Sequence, residues 1–225
     1  MKRLVKGLLL FTTVLATSMV LSADKKALVG GRLIDGYGHR PLQDSVILIN
    51  KGIIEAVGTV NTLDVPKDYN VISTEGMDVL PGLWENHAHL MLNGHADYEH
   101  WRPTYLDRLA DEIMPASAVQ LLLAGVTSAR DLGAPLEPSL SVKQRINRGE
   151  IPGPRLYISG PFIQHKPYPG TEHYRWGVSS VSDAKRKVNK LAKAGVDIIK
   201  LIDQDKMPLK VAQAVVDEAH KHNLK

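Results

Sequence analysis

The sequence predicts an α/β fold: a small unit of short β-strands, then strands alternating with helices. Three observations carry this. Residues 27–80 hold brief apolar, β-branched runs punctuated by glycine turns. From Pro81 onward, strand-like apolar runs alternate with stretches of helical period. At 225 residues, 44% hydrophobic and 23% charged, the chain can bury one sizeable domain, or one and a small second.

The elements follow in order. Ala27–Gly36 reads as a strand ending in a glycine-rich turn, and Ser45–Asn50 and Ile53–Val57 as a hairpin across Lys51–Gly52. Val71–Ser73 and Asp78–Leu80 add short β pieces, and Leu83–His89 is the first strand of the alternating region. Pro115 opens a helix stopped by Gly125, Val126–Asp131 is a second strand, and Ser139–Arg148 is helical. Arg155–Ser159 is a third strand, followed by a long Gly/Pro/His-rich loop over Gly160–Val178. Ser182 is the expected cap of a helix with Ala184, Val188, Leu191 and Ala192 on one face, ended by Gly195. Val196–Ile202 is a fourth strand, and Pro208 opens a last helix stopped near Asn223. Four strand–helix units imply a parallel sheet, and both a doubly wound open sheet and a (β/α)8 barrel begin this way. Residues 81–225 fall well short of the roughly 250 that a full barrel takes.

Met1–Ala23 has the build of a secretory signal. Lys2, Arg3 and Lys6 precede the apolar run Leu8–Val20, and small residues follow at Ser22 and Ala23. The run is shorter than the roughly 20 residues of a spanning helix, so cleavage after Ser22 is favoured over a membrane anchor. The mature chain is then expected in the periplasm or outside the cell, with no stable membrane span. Those three cations supply three of the four net positive charges, so the rest of the chain is nearly neutral and is not expected to bind nucleic acid. The absence of cysteine excludes disulfides, thiolate metal sites and a cysteine nucleophile.

His87 and His89 are the strongest site signal. Residues two apart on a strand share a face, so two imidazoles there suit Zn2+ or another divalent metal. The plainer reading of a lone His-x-His is two partly exposed histidines. Lys200 lies with Ile198 and Ile202 on one face of an apolar strand, where an ammonium either reaches water or loses its charge. Arg130 and Asp131 end the second strand, and an ordinary ion pair is their plainest role. In the long loop, His165 and His173 are the candidates for substrate contact, beside Lys166, Tyr168, Tyr174 and Arg175. His95 and His100 read as surface residues, and His220 and His222 suit a helix C-terminus.

Pro81-Gly82-Leu83-Trp84-Glu85-Asn86-His87-Ala88-His89 resembles the first-strand signature of the metal-dependent amidohydrolase superfamily. Gly31–Gly36 and Asp44–Ile49 resemble its N-terminal composite sandwich, and Gly125–Gly133 its second strand. Gly153-Pro154-Arg155 and Ala194–Lys200 are similar to its imidazolonepropionase-like and prolidase-like branch. Glu85 stands where that family usually has aspartate. The resemblance implies an N-terminal signal (1–22), an incomplete small β-sandwich (23–80), and roughly half of a TIM-like (β/α)8 barrel (81–225). It further implies hydrolysis of an amide-like C–N bond in a cyclic amide or small peptide by a metal-bound hydroxide. His87 and His89 would bind one metal, and Lys200, carboxylated by carbon dioxide, would bridge to a second. The long loop would cover the site and touch substrate, with His165 or His173 as its candidates, and Arg130 and Asp131 at the end of the second strand are further candidates for substrate contact. The family's other two histidines and its catalytic aspartate would fall after Lys225, so no catalytic residue is assigned, and the chain is expected to be truncated and inactive alone. The rival reading is a non-catalytic truncated product or binding remnant; a two-lobed solute-binding module finds little support.

Overall fold

The computed structural model describes residues 25–92, 97, 100 and 103–225. The expected signal segment and His95 lie outside these residues. Two compact units divide between Pro81 and Gly82.

The first unit is a five-stranded sheet. Its strands are β1 (Lys25–Leu33), β2 (Leu42–Asn50), β3 (Ile53–Thr59), β4 (Asn70–Ser73) and β5 (Asp78–Val79). The spatial order is β3-β2-β1-β4, with β5 also on β1. β2 and β3 are antiparallel, and Lys51 and Gly52 between them both have positive φ, as a two-residue hairpin turn requires. β4 and β5 run parallel to successive parts of β1. At the break between them the Thr74 hydroxyl accepts from the Gly31 N–H at 2.9 Å, and the Ser45 hydroxyl donates to the Gly31 carbonyl at 2.8 Å. Side chains thus satisfy backbone groups that the interrupted ladder leaves over. The core of this unit is small: Ala27, Val46 and Leu48 are buried, with Val29, Leu63 and Tyr69 packed against them.

The second unit carries β6 (Leu83–Ala88), β7 (Val126–Asp131) and β8 (Arg155–Ile158), parallel and in that order. Gly82 enters β6 where a Cβ would lie 1.9 Å from the Thr127 hydroxyl of β7, so only glycine allows this approach. The helices are α1 (Met114–Leu123), α2 (Leu136–Asn147), α3 (Val181–Ala194) and α4 (Leu209–Lys221). Their inward stripes, including Met114, Val142, Val188, Leu191 and Val215, join Ile158 of β8 in one core.

Three expected elements differ. The stretch Gly160–Val178 is not a plain loop: it holds two short parallel strands, β9 (Phe162–Gln164) and β10 (Arg175–Gly177). The cap of α3 is Ser180 rather than Ser182, its hydroxyl accepting from the Asp183 N–H at 3.2 Å. Val196–Ile202 does not form a strand beside β8. It makes one bridge, Ile163 to Leu201, through Ile163 N–H to Lys200 and Ile202 N–H to Ile163, and otherwise single backbone bonds such as Asp197 N–H to Ile158 and Ile199 N–H to Lys225. The physical reason is on the partner side. β8 stops at Ile158, the chain bends through Gly160, and a new short strand restarts at Phe162, so no continuous edge is offered.

Candidate metal centre

β6 brings the two imidazoles together. His87 is its penultimate residue and His89 follows its end, yet the ring centroids are only 5.1 Å apart, edge to face. Glu85 accepts the His87 N–H at 2.9 Å, fixing the backbone turn from which that ring projects. A cleft of about 330 Å³ opens beside the pair, lined by Glu85, His87, His89, Ser117 and Gln120 among others.

The two rings differ in setting. His87 is exposed, whereas His89 is half-buried and its Nδ1 is buried without a hydrogen-bond partner. Burial lowers the His89 pKa; the Gly133 backbone opposes this, and the charges of His87, Lys200 and Arg175 push it down further. The neutral, lone-pair-bearing form is therefore favoured, and it is the form that ligates a metal. The same three charges place Lys200 and Arg175 in the electrostatic neighbourhood of His89. Lys200 itself is half-buried, in a segment held through its own carbonyl by Ile163. The donor set fits a divalent metal: two adjacent imidazoles, one with an unpartnered buried nitrogen on which the charge of Lys200 bears. Among the described residues no cluster of three His, Cys, Asp or Glu forms a metal site by itself.

Phe162 packs the His89 ring in place, edge to face at 5.4 Å. Gly133, at φ +152°, admits the Phe162 ring: a Cβ there would meet it at 2.0 Å.

The other expected site residues lie as follows. Asp131 is buried, accepts the Leu90 N–H at 3.2 Å through Oδ1, and leaves Oδ2 without a partner. Arg130 is exposed, and the two form no ion pair, which corrects the plainest sequence reading. Successive residues of a strand point to opposite faces, so the neighbours part. His165 is half-buried, its Nδ1 within 3.0 Å of the Val178 carbonyl. His173 packs on the Tyr174 ring at 4.8 Å.

Sequence reasoning named Arg175 without singling it out, and passed over Phe162, Gln164 and Asp203. Gln164 donates to Asp203 at 2.6 Å and accepts from Arg175 at 3.2 Å, and the Tyr168 hydroxyl donates to the same Asp203 carboxylate at 3.0 Å. The available signal was the apolar Pro161-Phe162-Ile163 after Gly160, which is strand-like and argues against a loop.

The sequence model of the amidohydrolase family matches residues 79–225. Among solved structures, a prolidase-assigned protein from Bifidobacterium longum is 26% identical, with a TM-score of 0.74 over 90% of this chain and 48% of that one. Ochratoxinase from A. niger is 25% identical, with a TM-score of 0.65 over 89% of this chain and 54% of that one. Phenylurea hydrolase B, at 19% identity and a TM-score of 0.76 over 89% and 54%, shares the fold. The chain thus spans about half the length of the solved structures it matches, and its fold corresponds to part of their barrel. No curated protein matches.

Proposed function

The chain belongs to the amidohydrolase family, and from that premise we propose a metal-dependent hydrolase acting on an amide-like C–N bond of a small cyclic amide or peptide. One observation carries the reading. His87 and His89 lie ring against ring, the buried Nδ1 of His89 lacks a partner, and the charge of Lys200 bears on it. In this reading the two imidazoles hold one zinc or similar ion. When bound, the metal supplies Lewis acidity toward a carbonyl and lowers the pKa of water.

The chain's own residues do the rest. Burial lowers the His89 pKa and so favours the neutral ring with its lone pair free. Glu85 steadies the backbone before His87. Lys200 is the residue that would take up carbon dioxide: its amine nitrogen would form the N–C bond, a C=O electron pair would move to oxygen, and a proton of the amine would pass to water. The resulting carbamate would be an anionic oxygen donor of the kind a divalent metal takes. The buried Phe162 ring packs on His89 and keeps water from that side of it. We also propose export, with the segment ending at Ser22 removed.

A second reading, a metal-binding chain without catalysis, is favoured by the absence of a three-residue His/Cys/Asp/Glu cluster among the described residues. Hydrolysis assays on zinc-loaded protein separate the two. Release of product from a dipeptide, an N-acyl amino acid or a cyclic amide, abolished by His87→Ala, supports the hydrolase; bound zinc without turnover supports the second reading.

A further inference from the structure

We infer that Arg175 reads a carboxylate on the substrate, which narrows the proposed amides to those bearing an acid group, such as dipeptides and N-acyl amino acids. The inference rests on the reading of His87 and His89 as the reacting centre. Its first support is an unusual degree of unused donor capacity. A guanidinium carries five N–H donors. In Arg175 only Nη1 has an acceptor, the Gln164 carbonyl, while Nε is buried with no partner. Leaving such a group unmet in a half-buried cation is costly unless something else meets it.

The second support is the way the charge is kept open. Arg175 forms no ion pair with any described acid. The carboxylate of its own cluster, Asp203, is separated from it by Gln164, whose NH2 faces Asp203 and whose carbonyl faces Arg175. Asp203 is occupied besides by the Tyr168 hydroxyl. Three rings surround the guanidinium instead, Tyr168 at 4.9 Å, Phe162 at 5.1 Å and Tyr174 at 5.3 Å. Aromatic faces steady a cation without consuming its in-plane donors, and those donors match a carboxylate in bidentate fashion.

The third support is position. The Phe162 ring that holds Arg175 also packs on His89, so one side chain joins the guanidinium to the metal-binding imidazole. Arg175 also borders an open cleft of about 260 Å³, lined by other residues than the one beside His87 and His89, so the guanidinium is reachable from solvent; Glu172 on that cleft makes no ion pair with it.

The test is binding, on chelator-treated and dialysed chain, so that no metal competes for the acid. N-acetylglycine and its methyl ester are titrated by calorimetry into the native chain, Arg175→Met, Arg175→Lys and His89→Ala. The acid should bind about tenfold or more tighter than the ester to the native chain. Arg175→Met should erase that preference, and Arg175→Lys should keep only part of it, since an ammonium lacks the planar fork. Equal affinity for acid and ester in the native chain, including no binding of either, overturns the inference, as does an undiminished preference in Arg175→Met. If Arg175→Met fails to fold, full preference in Arg175→Lys overturns it. His89→Ala should keep the preference: loss of zinc binding there with preference retained tests the metal centre and Arg175 separately.

Discussion

Asp131 is the buried acid beside the candidate site, and its environment makes a testable pH dependence. Burial pushes its carboxyl up from 3.8 to about 7, against the Leu90 N–H and the Gly133 backbone, which pull it down. Between those two values the folded chain holds a proton that the unfolded chain has lost. Stability therefore falls as pH rises from about 4 to about 7, and the cost is fully present above that. Asp131→Asn, which mimics the protonated acid, is expected to flatten this dependence: melting temperatures at pH 5 and pH 8 should draw together relative to the native chain. A pH difference unchanged by the substitution would remove Asp131 as its source. The two-residue period of a strand explains what was legible here. It identified His87 and His89 as a pair, and the same rule forbids the Arg130–Asp131 ion pair, which adjacency alone suggested. The surroundings of Arg175 were illegible, because Gln164 meets it only through tertiary contact and Asp203 is linked to it only by way of Gln164.

At the scale of elements, the segment that carries Lys200 is held by side chains where a strand ladder was expected. Asp197 accepts from the Lys143 ammonium at 2.6 Å and from the Ile158 N–H at 2.7 Å, tying the segment to α2 and β8. Asp197→Ala leaves a half-buried cation and a backbone donor unmet, and is expected to destabilise the fold by about 2–4 kcal/mol, read from denaturant unfolding. Zinc content should drop with it, because Lys200 lies three residues on. Normal zinc in a destabilised variant would show that Asp197 matters for folding alone. The helices were legible because their apolar stripes run over three or more turns; Ala184, Val188 and Leu191 of α3 are all buried. β9 and β10, three residues each, are too short for any period to show, and their parallel pairing is made by backbone bonds between segments ten residues apart, Phe162 N–H to Tyr174 and Val178 N–H to Gln164.

For the whole molecule, family and fold class were legible because several ordered motifs fall along the chain, each tied to a backbone need or a ligand. Gly82 before β6 and the His87/His89 pair within one signature are two such cases. Export is expected to leave Ala23 as the first residue, which N-terminal sequencing of the periplasmic fraction checks; intact Met1 in the cytosol would contradict it. The central claim is that His87, His89 and Lys200 hold metal. The direct measurement is zinc per chain by elemental analysis, on the native chain and on His89→Ala and Lys200→Ala, with intact mass recorded in bicarbonate. The native chain should hold about one zinc or more and gain the mass of one carbon dioxide, both variants should lose most of the zinc, and bicarbonate should not restore it in Lys200→Ala. Zinc content equal to the native level in either variant would contradict the account.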